Sequence, residues 1–381
     1  MRGPKRLAKL INYRRLRKYY QEVSVSDLIF KQYLYSRFEV FYIIAGLSID
    51  AYRMTSAPSV ADIRALRALL GASLWTTPVL RCAGLEDLLQ SGTEIYGKCE
   101  FLQRTGTFKA RGALANLSCL DARQRRLGVT AVSAGNHAVA TAFAARAVGS
   151  SAKVVMTKTA NAARVDACRG YGGEVVFAET VHEAFAMADK IQADEGRHLV
   201  HPYEGPQVAA GTGMIGLEMH EQCANFDVVV VAVGGGGLLG GIANAIKQLR
   251  PECEVIGVEP EGADSMHRSF KAGKPEAIDA VKTIADSLGA PYAMPYSFEL
   301  CRNNVDSLTL VSDEQIRRAM GILFKTMKIA VEPACAATTA ALLGPLREIV
   351  AGRNVMQVFC GSNIDWPTFI GQVEPGYPYA A

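Results

Sequence analysis

The chain has 381 residues, 49% of them hydrophobic and 20% charged, with a formal net charge of +4. That balance excludes a wholly disordered chain, and no apolar run approaches the roughly 20 residues that would span a bilayer. So small a charge on a chain this long gives no support to nucleic acid as a partner.

Residues 1–53 differ from the rest: they hold 11 Lys and Arg against 4 Asp and Glu, and 10 of the 28 Phe and Tyr. This basic, aromatic leader has no small-residue cleavage site directly after an apolar core. Met54-Thr55-Ser56-Ala57-Pro58 opens a more conventional sequence, so the leader is expected to be a dispensable extension. Beyond it, short β-rich runs alternate with helical stretches. Strands are predicted over 94–100, 128–133, 153–156, 174–177 and 227–233. Helices are predicted over 109–120, 136–148, 162–171 and 181–192. The last strand is a continuous β-branched run after Asp227, the pattern of a strand buried on both faces. The alternation predicts α/β architecture with mostly parallel sheets.

Nine cysteines are scattered from Cys82 to Cys360 without a CxxC pair, and the six histidines form no zinc-spaced cluster. They read as reduced thiols in a cytoplasm.

The run 227–233 enters Gly234-Gly235-Gly236-Gly237-Leu238-Leu239-Gly240-Gly241, and a helix follows. Successive glycines let backbone N–H groups converge, and a helix N-terminus adds positive potential, so the segment reads as a phosphate cradle. A tight strand-to-helix turn is the bland alternative. Gly235, Gly237 and Gly240 also satisfy GxGxxG, with Glu259 19 residues beyond. Taken alone, that is the fingerprint of an NAD-dependent oxidoreductase.

Upstream, Thr105-Gly106-Thr107-Phe108-Lys109-Ala110-Arg111-Gly112-Ala113 places a lysine at a helix start, where the macrodipole disfavours a cation. It is either a solvated surface lysine or a Schiff-base lysine whose proton affinity its surroundings lower.

This segment resembles the cofactor-lysine motif of the fold-type II pyridoxal phosphate enzymes, the threonine and serine dehydratase (ammonia-lyase) group. Ser133-Ala134-Gly135-Asn136-His137 is similar to that family's substrate-carboxylate loop, and Gly234 to Gly237 to its tetraglycine phosphate loop. The three motifs occur in family order, and the resemblance covers roughly residues 58–372. It implies a tryptophan synthase β-like fold of two open parallel-sheet α/β domains with the cofactor in the cleft. The large domain would take residues 54–126 and 208–381, and the small domain 127–207.

The resemblance further implies that Lys109 holds pyridoxal 5'-phosphate and shuttles the α-proton, while Phe108 packs beside the ring. Gly234, Gly235, Gly236, Gly237 and the Leu238 amide would bind the phosphate. Asn136 would bond the ring hydroxyl, and Glu332 would lie near the ring. Ser133, Ala134, Gly135, Asn136 and His137 would surround the substrate carboxylate. Phe108 as a core aromatic, His137 as a helix cap and Glu332 as a structural carboxylate remain open readings. The partner of the pyridine nitrogen falls on Cys360, with Ser362 nearby. A thiol there leaves the ring neutral and favours elimination over transamination.

Several positions depart from the family pattern. Ala134 stands where serine racemases carry a second acid/base, so racemisation is not expected. Ser287 follows Asp286 where dehydratases commonly have glycine, so a substrate other than plain threonine or serine is admitted. A divalent cation, Mg²⁺ or Ca²⁺, would be held by Glu259, the Ala263 carbonyl and Ser265, the last replacing an acid. The chain ends soon after the matched segment, and the regulatory domain of biosynthetic threonine dehydratases is expected to be absent.

The implied activity is removal of the β-hydroxyl of threonine, serine or a bulkier β-hydroxy amino acid, giving a 2-keto acid and ammonia. The partner is that small molecule, and a homodimer is a family expectation. Threonine synthase or β-replacement chemistry, an NAD-dependent oxidoreductase and a non-catalytic pyridoxal phosphate-binding protein are the alternatives.

Overall fold

A computed structural model describes residues 56–373; the leader and the end of the tail lie outside the described residues. Its ten strands are β1 (Val79–Arg81), β2 (Glu94–Lys98), β3 (Val129–Val132), β4 (Ala152–Thr157), β5 (Glu174–Ala178), β6 (His198–Leu199), β7 (Val228–Ala232), β8 (Glu254–Pro260), β9 (Ser307–Val311) and β10 (Asn354–Val358). They form two sheets. Six strands run in the order β1-β2-β10-β7-β8-β9, and four in the order β5-β4-β3-β6. All pairings are parallel except β1 with β2.

Every residue of β7 is buried, as its unbroken Val-Val-Val-Val-Ala requires of a central strand covered on both faces. Helices begin where the sequence supplies caps. Ser59, Asp121 and Ser312 each accept the N3 amide, and Asp62, Gln124 and Gln315 return the bond to the cap backbone. Among the described residues no helix is long and apolar enough to cross a membrane.

The helices that frame the site pack closely because glycines remove side chains at their crossings. A Cβ at Gly211, in helix Pro206–Gln222, would come within 2.6 Å of the Arg111 carbonyl oxygen in helix Lys109–Ser118. A Cβ at Gly241, in helix Gly237–Leu249, would come within 2.6 Å of the Ala209 oxygen.

The strand predicted over 94–100 stops at Lys98 and gives way to a 3₁₀ turn, Glu100–Leu102. The cause is charge. Lys98, Glu100, Arg111 and Glu218 are all buried and form a connected quartet. Arg111 meets both oxygens of Glu100 and of Glu218 at 2.7–2.8 Å. Lys98 Nζ donates to Glu218 at 2.6 Å, the Thr77 carbonyl at 2.6 Å and Gln222 at 2.9 Å. Burial pushes the Glu100 carboxyl up, but the Arg111 charge and hydrogen bonds prevail and hold it below the usual range.

Removing one member of such a set strands a charge in the interior, at a cost of about 3–5 kcal/mol. Glu218→Ala is therefore expected to lower the free energy of urea unfolding by about that amount. A loss below about 1 kcal/mol would show that the quartet is replaceable.

Candidate active site

Lys109 is the first residue of helix Lys109–Ser118, and its amide donates to Thr107 Oγ1 at 3.1 Å. Its side chain is half-buried, with Nζ donating to the Pro202 carbonyl at 2.7 Å and lying 5.1 Å from the centre of the Phe108 ring. Burial lowers its pKa from 10.5 to about 8, against the opposing influence of Cys360 and Glu332. Nothing here resembles a solvated surface lysine. Phe108 packs against the core of the six-stranded sheet, and its amide donates to the Cys360 carbonyl at 3.0 Å.

Tyr203, next to Pro202, connects the lysine to the glycine loop. A Cβ at Gly235 would run into the Tyr203 ring, and one at Gly237 would meet the Tyr203 carbonyl at 2.5 Å. Gly236 has φ +87° and would be strained as any other residue. The first bond of helix Gly237–Leu249 is Gly240 N–H to Gly236 O at 2.7 Å, so the amides of Gly234 through Leu238 precede any helical acceptor. Leu238 itself is buried in the core.

Asn136 begins helix Asn136–Ala147. Its Nδ2 donates to Glu332 at 2.8 and 3.0 Å and to Ser287 Oγ at 3.2 Å, while its Oδ1 accepts from Asn363 Nδ2 at 2.9 Å. Glu332 is buried at the start of helix Pro333–Leu343, and burial raises its carboxyl to about 7, with the Asn136 bond pulling the other way. In the preceding loop Ser133 Oγ accepts the Gly135 amide at 3.1 Å, and the first helical bond is Ala138 N–H to Gly135 O at 3.1 Å. The amides of Ala134, Asn136 and His137 thus also stand before any helical acceptor.

His137 does not cap this helix: its Nε2 lies 2.8 Å from the Val200 carbonyl oxygen, and burial lowers its pKa to about 3. His201 accepts two amides on Nδ1, from Tyr203 and Glu204, so that nitrogen is unprotonated. Both histidines line a small pocket with Phe108, Lys109 and Pro202. The Cys360 thiol is buried, and its hydrogen bond with Cys335 and then burial raise it well above the ordinary thiol value.

The structure thus brings Lys109, Phe108, Asn136, Glu332 and Cys360 together, with Ser287 joined through Asn136. Sequence reasoning missed Pro202, Tyr203, Arg164 and Asn363. The His201-Pro202-Tyr203-Glu204 run after β6 was the available signal for the first two.

These residues fit pyridoxal phosphate. They supply an amine of lowered proton affinity beside an aromatic ring, a glycine cradle with unpaired amides, and an uncharged thiol. The expected cation ligands do not fit a divalent ion as they stand. The Glu259 oxygens accept the Met266 and His267 amides at 2.9 and 2.7 Å, and burial raises its carboxyl to about 8. The Ser265 hydroxyl is neutral and has no partner among the described residues, and no group of three His, Cys, Asp or Glu side chains there could hold a metal. Ala263 contributes its amide to Pro260 O. Turned inward in this way, Glu259 is equally unsuited to a nucleotide ribose.

Comparison with known proteins agrees with the cofactor. The model of a family described as pyridoxal-phosphate dependent enzyme matches residues 72–361. Phenylserine dehydratase of Ralstonia pickettii is 51% identical over 315 residues, 83% of this chain and 96% of that protein. L-threonine ammonia-lyase of Thermotoga maritima is 40% identical over 276 residues, 72% of this chain and 68% of that protein. The structure of maize serine racemase superposes with a TM-score of 0.79 at 31% identity, covering 84% of this chain and 98% of that one. The chain belongs to the pyridoxal-phosphate dependent enzyme family, in its fold-type II branch.

The depressed lysine makes a signed prediction for the cofactor-free protein. Folded Lys109 releases its proton near pH 8, whereas the unfolded chain keeps it to about 10.5. Between those values the unfolded state binds more protons, so stability rises with pH. Lys109→Met removes that slope. Its thermal midpoint should exceed that of the parent most clearly below about pH 8, with the gain fading toward 10.5. A gain independent of pH would contradict the assignment.

Proposed function

We propose that this protein is a dehydratase that removes the β-hydroxyl of a β-hydroxy amino acid and releases a 2-keto acid and ammonia. The observation that carries the reading is the placement of Lys109: an amine desolvated at a helix head, bonded to Pro202, and flanked by Phe108, Cys360 and the Asn136–Glu332 pair. Pyridoxal phosphate, when bound, supplies the carbonyl that takes the substrate amine and the electron sink that acidifies its α-proton.

The residues of the chain do the rest. Lys109 Nζ holds the cofactor and then accepts the α-proton, a task that suits an amine whose pKa lies near 8. The amides of Gly234, Gly235, Gly236, Gly237 and Leu238 bind phosphate at the helix N-terminus. Asn136, fixed by Glu332 and Asn363, orients the ring hydroxyl. The amides of Ala134, Asn136 and His137 take the substrate carboxylate. Cys360 would be the partner of the ring nitrogen, and a thiol that stays neutral there would favour prompt loss of the β-substituent. Ala134 carries no proton, and this argues against racemisation.

The two sheets correspond in this reading to a large domain of residues 54–126 and 208–381 and a small domain of 127–207. The nine free, buried cysteines suit a cytoplasmic location, and a homodimer is carried over from the family. The name of the Ralstonia relative puts an aromatic β-substituent first among substrates to try.

The test is release of 2-keto acid and ammonia from L-threo-phenylserine, L-threonine and L-serine by the cofactor-loaded protein. Lys109→Ala is expected to lose both the visible absorbance band and turnover. Elimination retained in that variant would overturn the mechanism.

A further inference from the structure

Arg164 stands in the first turn of helix Ala162–Gly170, which follows β4 of the four-stranded sheet. Its guanidinium meets three groups from segments that belong to the six-stranded sheet and its helices. Nε donates to the Asn363 carbonyl at 3.3 Å, Nη2 lies 3.9 Å from Glu332 Oε2, and both Nη1 and Nη2 bond Asp286. Its remaining face covers the loop 133–137: a side chain at Gly135 would begin 3.5 Å from Nη1.

The Asp286 pair is an insufficient reason to bury an arginine. The Arg164 side chain is 13% exposed, but that of Asp286 is 56% exposed. An ion pair with its anion largely in water contributes little to stability. What the arrangement does provide is a planar fork, held at its root by the Nε bond, over a loop whose Ala134, Asn136 and His137 amides stand before any helical acceptor. A guanidinium fork matches a carboxylate in two parallel bonds. The group now on the fork is itself a carboxylate, on the 3₁₀ turn Asp286–Leu288 that carries Ser287.

We infer that Arg164 is a further substrate-binding residue that takes the amino acid's carboxylate above Gly135, and that Asp286 occupies the fork until the substrate displaces it. This rests on the dehydratase reading and deepens it. Arg164 and Asp286 then have opposite effects on binding although they are partners in one ion pair. Removing the arginine loses a ligand of the substrate, whereas removing the aspartate loses a competitor.

The experiment is a visible-absorbance titration of the pyridoxal phosphate-loaded full chain with L-alanine, which binds through amine and carboxylate but has no β-hydroxyl to lose. Ethylamine, which lacks the carboxylate, is titrated in parallel. Arg164→Gln should weaken alanine binding about ten- to a hundredfold, the range for charge-assisted hydrogen bonds, and leave ethylamine unchanged. Arg164→Lys should fall between, keeping the charge without the fork. Asp286→Asn should tighten alanine binding roughly threefold or more. Equal weakening in the Gln and Asn variants would make the pair a structural latch and overturn the inference, as would parallel losses for alanine and ethylamine. A parent protein that takes up no visible band fails the dehydratase reading itself. A band that responds to alanine equally in parent and Arg164→Gln defeats only the role of Arg164.

Discussion

Four buried charges determine where Lys109 stands. Lys98, Glu100, Arg111 and Glu218 come from β2, the turn after it, helix Lys109–Ser118 and helix Pro206–Gln222. None would be tolerated alone in so dry a place, and together they neutralise one another with short, charge-assisted bonds. Arg111 lies two residues beyond Lys109, so the quartet fixes the head of the helix that carries the amine. Helix Pro206–Gln222 starts just after Pro202 and Tyr203, which receive the lysine and cover the glycine loop. The ends of the lysine's environment therefore trace to the same charges.

The contrast between buried Lys98 and half-buried Lys109 makes the same point. Lys98 Nζ has three acceptors, one of them a carboxylate, and its charge is fully used. Lys109 Nζ has one neutral carbonyl acceptor, and burial outweighs the more distant Cys360 and Glu332. Burial lowers the proton affinity of both amines, but three acceptors lock Lys98 in place, whereas a single carbonyl leaves Lys109 ready to exchange its proton. Around Lys109 the remaining groups are kept uncharged or near their titration point: two neutral imidazoles, a protonated thiol and a carboxyl raised to about 7. Such surroundings suit a reaction that moves one proton on and off a single base.

What was legible in the sequence was local. The β-branched run of β7 and the glycine loop follow from short-range rules, and the predicted helices agree with the observed ones to within three residues at their ends. Lys109 needed more than spacing, because an isolated lysine at a helix start has no signature of its burial. Arg164 and Asn363 were invisible because their partners lie 122 and 227 positions away in the chain. Glu259 was ambiguous in the sequence for a related reason. Its distance from Gly240 suits a ribose, and its setting suits a cation, but only the fold shows that its oxygens accept the amides of helix Ser265–Ala272. Glu100 ended its strand early because pairing with Arg111 outweighs the extended preference of its neighbours.

The central claim is that Lys109, and not the more deeply buried Lys98, is the amine that carries the cofactor. Borohydride reduction of the pyridoxal phosphate-loaded protein, followed by peptide mass mapping, tests it directly. The account predicts a phosphopyridoxyl group on the peptide containing Lys109 and none on that containing Lys98. A stable adduct on another lysine, or none at all in a folded and loaded protein, would contradict it.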